Sequence, residues 1–336
     1  MKPVLSVVIP CLNEVRYIEG CVGSLLSNGF SPDRMEILVI DGGSNDGTIS
    51  VLERLSLQFP QVKVLNNPLR ITPRSLNIGV MAAQGEFTLI SSAHAAFSSG
   101  YIQTLMDIMN EKPDALGVGG MMHTEVKNST PVSESIRTVL MHPIGVGNAK
   151  FRTGVKALVA VDTVPFGLYR SSLLKATGGY DERLIRNHDM ELSKRLCRQG
   201  GSIYLSPNAT CTYFAREDYM AMAKNNYNNG KWNLKTVWLT KTFSSLSLRH
   251  FIPLLFLMSW TIPMGLALLF GRPYWTLPSL AIITVYALVL LAVSWRARNG
   301  KNRVLQTLIA FILLHLFYGL GSFMGLLSIP FMSREK

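Results

Sequence analysis

The chain has 336 residues, 48% apolar and only 16% charged, with 33 Lys+Arg against 21 Asp+Glu for a net charge of +12. A charged share this far below the ~25% usual for soluble domains, beside ample apolar residues, excludes a disordered or collagen-like chain. Four scattered cysteines, Cys11, Cys21, Cys197 and Cys211, none in a C-x-x-C pair, exclude a disulfide scaffold and a structural zinc site.

Met1–Pro10 lacks the pattern of a cleavable signal, because its short apolar run meets Asn13 and Glu14. Leu5–Ile9 is a mostly apolar run rich in β-branched residues and ending at Pro10, the signature of a strand buried on both faces. Val15–Leu26 then reads as a helix and Glu36–Ile40 as a second buried strand. Asp46-Gly47-Thr48 opens a further helix, with Ile49, Leu52 and Leu55 on one face. Val62–Leu65, the helical Thr72–Ala83 and the strand Phe87–Ile90 continue the alternation. Strands and helices at this spacing predict βαβ units and an α/β fold with a mostly parallel sheet. Ligands on such sheets bind beyond the carboxyl ends of the strands, which directs attention to the residues after Ile9, Ile40 and Ile90.

Those residues are Pro10-Cys-Leu-Asn13-Glu14, then Asp41-Gly-Gly-Ser44-Asn-Asp46-Gly-Thr48, then Ser91-Ser92-Ala-His94. No G-x-G-x-x-G follows a strand, which disfavours a dinucleotide site. Carboxylates at strand ends accept hydrogen bonds from a nucleobase N–H and from ribose hydroxyls. The competing structural reading makes Asp41 a turn residue and Asp46 a helix cap.

Further along, Gly178-Gly-Tyr180-Asp181-Glu182 precedes Arg186-Asn-His188-Asp189-Met-Glu191 and then Arg195-Leu196. A helical, Lys- and Trp-bearing stretch, Tyr219–Phe243, suits a membrane interface. Three uncharged runs close the chain: His250–Phe270, Tyr274–Trp295 and Val304–Met332. Each reaches the ~20 residues needed to cross hydrocarbon. Half of the net charge lies from residue 250 onward, most of it in the link Arg296–Arg303. Basic links stay cytoplasmic, so the N-terminal part is expected in the cytoplasm and the tail, with Arg334 and Lys336, outside. The spans hold no Asp, Glu, Lys or Arg to mark an ion path. The first 249 residues show no basic face interleaved with aromatics, so nucleic acid is not an expected partner.

Taken in order, these motifs resemble the family 2 glycosyltransferases, inverting enzymes of the GT-A fold, and most closely the membrane-anchored succinoglycan-type subgroup. The resemblance covers roughly residues 4 to 240. It implies that Pro10, Asn13, Glu14, Asp41 and Asp46 bind a nucleotide-sugar, usually a UDP-sugar, joined by Arg74 and Asn77 of Arg74-x-x-Asn77-x-Gly79. The family's Asp-x-Asp, which holds Mg²⁺ or Mn²⁺, reads Ser92-Ala93-His94 here. Either His94 holds the ion with the diphosphate, or Lys and Arg take the ion's place. Asp189 matches the general base that takes a proton from the acceptor hydroxyl. His188 stands where the family has Glu. Asn228-x-x-Lys231-Trp232 is a weakened form of Gln-x-x-Arg-Trp, placing Lys231 and Trp232 near the acceptor diphosphate and arguing for addition of a single sugar.

The expected organisation is a GT-A domain over 1–215, an interfacial region over 216–249 and three membrane helices over 250–332. The expected function is transfer of one hexose to a polyprenyl-diphosphate-linked saccharide in exopolysaccharide or related glycan synthesis, at a cell inner membrane. The alternatives are a polyprenyl-phosphate sugar synthase and a non-catalytic membrane scaffold of the same fold.

Overall fold

The computed structural model describes residues 2–332, so the expected basic tail with Arg334 and Lys336 lies outside the described residues. In chain order the strands are β1 (Leu5–Cys11), β2 (Met35–Asp41), β3 (Val62–Asn66), β4 (Phe87–Ile90), β5 (Ala95–Phe97), β6 (Ala115–Glu125), β7 (Val159–Val161), β8 (Leu168–Arg170) and β9 (Ser202–Phe214). The helices before the apolar C-terminal part are α1 (Ile18–Leu26), α2 (Thr48–Gln58), α3 (Thr72–Ala82), α4 (Tyr101–Glu111), α5 (Pro131–Met141), α6 (Pro143–Val146), α7 (Lys150–Thr153), α8 (Ser171–Ala176), α9 (His188–Cys197) and α10 (Tyr219–Thr240). After them come α11 (Ile252–Phe270), α12 (Thr276–Arg296) and α13 (Val304–Ser328). Two compact units result: Met1–Thr124 with Ala149–Phe214, and Glu125–Asn148 with Ala215–Lys336.

The first unit is built on one mixed sheet with the order β3-β2-β1-β4-β8-β6-β9-β5, and β7 pairs with β9. The expected parallel βαβ half is present: β1 lies between β2 and β4, and β3 flanks β2, all parallel. Beyond β4 the sheet turns antiparallel, with β8 against β4 and β6, and β5 and β7 against β9. Leu5 to Ile9 and Ile37 to Ile40 are almost wholly enclosed, as strands covered by helices on both faces must be. Pro10 is tolerated inside β1 because pairing with β4 ends at Val8, which relieves the missing N–H. In α3, a Cβ on Gly79 would collide with Val8 and Ile40, so the glycine sets how closely that helix lies on β1 and β2.

One expected boundary moves. The first helix starts at Ile18 rather than Val15: the Tyr17 and Ile18 N–H groups turn back to the Glu14 carbonyl, and the Glu14 and Val15 N–H groups bond Thr48 Oγ1 (2.9 Å) and Asp46 Oδ2 (3.2 Å) of the second loop. The sequence pattern also gave no warning of Glu36, an acid buried on β2. Its carboxylate accepts from Ser6 Oγ (2.7 Å), Lys63 Nζ (2.8 Å) and the Gln84 N–H (2.8 Å).

In the second unit, α11, the segment Pro273–Arg296 containing α12, and Val304–Phe331 containing α13 are each long and apolar enough to cross a membrane. Pro263 lies inside α11, where it removes a helical hydrogen bond. The expected Tyr219–Phe243 helix is α10, and it runs along α13 with almost nothing between the two backbones. A Cβ at Gly321 would strike the Tyr227 carbonyl, one at Gly325 the Lys231 carbonyl, and one at Gly230 the Tyr318 carbonyl. Small residues permit this kind of approach between helices. Asn233 Nδ2 adds bonds to the His250 carbonyl (2.8 Å) and the Tyr318 hydroxyl (3.2 Å).

Desolvation is the largest influence on Glu36, yet the bonds from Lys63, Ser6 and Gln84 together hold its carboxyl below the ordinary range. A folded pKa below the unfolded one adds stability above the unfolded value and loses it as pH falls through the folded value. Glu36→Gln is therefore expected to cost about 1–3 kcal/mol near neutral pH. The deficit should shrink as pH drops below about 4, when followed by denaturant unfolding of the detergent-solubilised chain.

Candidate functional site

Parallel pairing brings the first two motif loops together. Cys11 sits opposite Asp41, so β1 and β2 end level and release their loops side by side. Asn13, held at φ 58°, then bridges the two. Its N–H donates to Ser44 Oγ (2.8 Å) and its Oδ1 accepts from the Asn45 N–H (2.9 Å). Asn tolerates this left-handed conformation better than most residues.

Asp41 fills the turn role expected of it, whereas the residue that caps α2 is Gly47 rather than Asp46, which stands one position before it. Asp41, only 3% exposed, accepts from the N–H groups of Gly43 (2.6 Å) and Ser44 (3.0 Å) and from Ser44 Oγ (2.6 Å). Asp46 Oδ1 accepts from the Thr48 N–H (3.0 Å) and Oγ1 (2.5 Å) at the start of α2. The Thr48 hydroxyl, and to a lesser degree backbone N–H groups, keep the Asp46 carboxyl ionised below its usual range. A carboxylate offers about four acceptor positions, so both keep capacity for a ligand.

After β4, Ser92 and His94 enter the same group. His94 Nδ1 lies 3.1 Å from Glu14 Oε1, and Ser92 Oγ lies 3.3 Å from both ring nitrogens. The imidazole stands edge-on to Tyr213 (5.1 Å between centroids) and to Tyr17 (6.3 Å). Tyr213 is delivered by the antiparallel register that sets it against Ala95. Neither tyrosine was singled out in the sequence, since only strand pairing between distant segments reveals their neighbour.

Among the described residues no three His, Cys, Asp or Glu side chains cluster to hold a metal ion. His94 and Glu14 offer one nitrogen and one oxygen, both half-buried and adjacent. That donor set fits a divalent ion completed by the ligand's own oxygens and water, not one caged by the protein alone.

Arg74 and Asn77 of α3 hold the turn before α9. Asn77 Oδ1 accepts from the Tyr180 N–H (2.7 Å), and its Nδ2 donates to the Tyr180 carbonyl (2.9 Å) and Glu182 Oε1 (2.9 Å). Arg74 Nη1 pairs with Glu182 Oε1 at 3.0 Å. Gly179, at φ 68°, must lack a Cβ because one would collide with Asn77 Oδ1. Glu182 is the partner that neither segment's sequence announces.

Asn187, left-handed at φ 62°, turns the chain into α9. His188 packs its ring edge-on against Tyr180 (5.7 Å). Burial pushes its imidazole pKa down, which favours the neutral ring, and its buried Nδ1 has no hydrogen-bond partner among the described residues. The two acids of the first turn differ sharply. Glu191 is buried and clamped by Arg195, whose Nε lies 2.9 Å from Oε1. Arg195 also donates to the carbonyls of Thr177 (2.6 Å) and Gly179 (2.6 Å). Asp189 is exposed, and no hydrogen bond or ion pair engages its carboxylate among the described residues. Lys231 and Trp232 belong to the second unit, on α10, where Lys235 Nζ sits 5.4 Å from the Trp232 ring centroid.

A parallel βαβ half with acids at its strand ends, continued by antiparallel strands, defines a nucleotide-sugar-type α/β fold rather than a dinucleotide one. The family model of glycosyl transferase family 2 matches residues 6–177, and the chain belongs to that family. It is a glycosyltransferase of the GT-A fold. It is 28% identical over 233 residues to the dolichyl N-acetyl-α-D-glucosaminyl phosphate 3-β-D-2,3-diacetamido-2,3-dideoxy-β-D-glucuronosyltransferase of Methanococcus voltae, covering 67% of this chain and 71% of that one. Succinoglycan biosynthesis protein ExoA of Rhizobium meliloti is 28% identical over 253 residues, covering 74% of each. Among solved structures, mannosyltransferase PcManGT of Pyrobaculum calidifontis, in complex with GDP-Man and Mn²⁺, superposes with a TM-score of 0.59 at 15% identity, over 95% of this chain and 88% of that one.

The geometry separates the two α3 residues. Asn77→Ala strips a buried backbone N–H and carbonyl of their partner and is expected to cost about 2 kcal/mol. Arg74→Ala breaks an exposed pair and should cost less than about 1 kcal/mol. Thermal unfolding of the two variants under one condition checks the order.

Proposed function

We propose that the chain transfers one hexose from a UDP-sugar to a hydroxyl of a saccharide carried on polyprenyl diphosphate, inverting the anomeric centre, at the cytoplasmic side of an inner membrane crossed by α11, α12 and α13. The observation that carries the reading is the contrast at the start of α9, where Glu191 is clamped by Arg195 and Asp189 is left free. A general base must have an open carboxylate, and of these two acids only Asp189 has one. Support for a lipid-carried acceptor comes from the Methanococcus enzyme, named for transfer onto a dolichyl-linked sugar phosphate, and support for glycan synthesis from the Rhizobium protein, named for succinoglycan biosynthesis.

Asp41 and Asp46, with Pro10 and Asn13 in the laced loops, hold the nucleoside through the acceptor capacity their turns leave over. Asp189 takes the proton from the acceptor hydroxyl as that oxygen attacks the anomeric carbon from the side opposite the diphosphate. The C–O bond to UDP breaks as the new one forms, so a single base suffices. A divalent Mg²⁺ or Mn²⁺ held by His94 and Glu14, with Ser92 beside them, would offset charge on the leaving diphosphate. Arg74 and Asn77 act through the Gly179–Glu182 turn that leads to α9, and His188 steadies the start of that helix. On α10, Lys231 and Trp232 are assigned to the acceptor's diphosphate. The catalytic part is placed in residues 1–215, the interfacial part in 216–249 and the anchor in 250–332.

The test is transfer from radiolabelled UDP- and GDP-sugars into lipid of membranes containing the full chain. Asp189→Asn is expected to lower the rate about 10²–10⁴-fold with UDP binding retained. EDTA should abolish transfer and Mn²⁺ restore it. A wild-type rate for folded Asp189→Asn removes the base from the mechanism, and label that appears only on monophosphate lipid replaces the acceptor with polyprenyl phosphate.

A further inference from the structure

The first unit contains a cation whose partner is missing. Arg152 lies on the short α7, and its side chain is only partly exposed. The guanidinium stacks on two rings, 5.4 Å from the centroid of Tyr213 and 5.8 Å from that of Phe151. Among the described residues it makes one side-chain hydrogen bond, from Nη1 to Thr124 Oγ1 at 2.7 Å. No carboxylate pairs with it among the described residues, although Arg54, Arg74, Arg170, Arg183 and Arg195 of the same unit each meet one. A guanidinium carries five N–H donors, so four are unused.

Removing a charge from water without a counter-ion is unfavourable. Desolvation here is strong enough to lower even an arginine pKa, with Tyr213 and Cys211 opposing it. The ring stacking recovers part of this cost. The remainder calls for an anion, and the surroundings indicate where one arrives. Tyr213, which carries the guanidinium, stands edge-on to His94, so Arg152 and the Glu14–His94 pair flank one tyrosine.

We propose that Arg152 binds a phosphate group of one of the two substrates, its fork closing on phosphate oxygens beside the His94 group. Arg suits this task because its planar donors engage two phosphate oxygens at once. The inference rests on the reading of this unit as a nucleotide-sugar site, and it adds a residue that none of the motif blocks contains. The phosphate comes from the donor's diphosphate or from the lipid acceptor, which share this chemistry.

The experiment measures equilibrium binding of UDP and of farnesyl diphosphate to the full chain in detergent, for wild type and Arg152→Gln. The variant is expected to bind one probe about ten- to a hundredfold more weakly. Loss confined to UDP assigns the donor; loss confined to farnesyl diphosphate assigns the acceptor. Wild-type protein that binds neither probe overturns the nucleotide reading together with this one. Wild type that binds, beside a folded variant that binds equally well, overturns the Arg152 assignment alone. Should Arg152→Gln not fold, Arg152→Lys, which keeps charge and loses the fork, is expected to weaken binding by a smaller factor. Reaction of the wild type with phenylglyoxal, mapped by mass spectrometry, supplies a readout without substitution: the bound probe should shield Arg152, and equal labelling with and without both probes overturns the proposal.

Discussion

The arrangement of the first unit depends on one register: β1 pairs with β2 so that Cys11 stands opposite Asp41. A shift of one residue would turn every side chain of β1 to the other face, and the enclosure of Leu5, Val7, Val8 and Ile9 forbids it. Because the register is fixed by core burial, both loops leave the sheet at one height. Asn13 can then reach Ser44 and Asn45, while Glu14 and Val15 reach Thr48 and Asp46. The loops stiffen each other through these crossed bonds. Polar residues at the strand ends are thus positioned by apolar residues in the strand interiors.

Acidic residues in this unit divide into those that are spent and those that are free. Glu36, Glu182 and Glu191 are each bound by a basic side chain and serve the fold. Asp41 and Asp46 are bound by backbone and hydroxyl donors, and no cation pairs with either among the described residues. Asp189 has no such donor among the described residues. A residue with both oxygens open to water loses the stability a partner would add, and keeps the capacity to receive a proton. At the Ser92 position the chain forgoes a carboxylate, and Glu14 from the first loop stands 3.1 Å from His94 instead. An oxygen donor is therefore present beside the imidazole, contributed from a different strand end.

Much of this was legible in the sequence, for physical reasons that differ by region. The parallel half was clear because strands buried on both faces read as nearly continuous apolar runs, and Leu5–Ile9, interrupted only by Ser6, and Ile37–Ile40 are such runs. The antiparallel half was not read, since β5, β7 and β8 have three residues each and carry no periodicity. Helix α2 was visible from Leu52 and Leu55, but α1 starts later than Val15, after a turn that the second loop ties down through Glu14 and Val15. The motif residues were found by type and spacing. Their neighbours Tyr213 and Arg152 were missed, and Glu182, though it lies in a motif block, was not matched with Arg74, because each reaches its place through contacts between segments far apart in the chain. Asn77 shows the opposite failure: its motif position was clear, while its bonds to Tyr180 follow from a turn whose path the sequence does not state.

The glycine seam between α10 and α13 bears on how the chain is made. The two helices meet through residues far apart in sequence; Asn233 and Tyr318, which bond across the seam, are separated by 85 positions. During synthesis α10 therefore emerges long before the surface that covers it exists, and α11 and α12 must be completed first. Throughout that interval Met222, Val237 and the buried amides of Asn226 and Asn233 lack their final surroundings. Contacts that close so late are slow to form and leave an intermediate open to wrong associations. The lysines along α10 give that waiting helix repulsion between chains and solubility. Its mixed polar and apolar composition, unsuited to a span, thus fits a segment that waits at the membrane surface until α13 arrives.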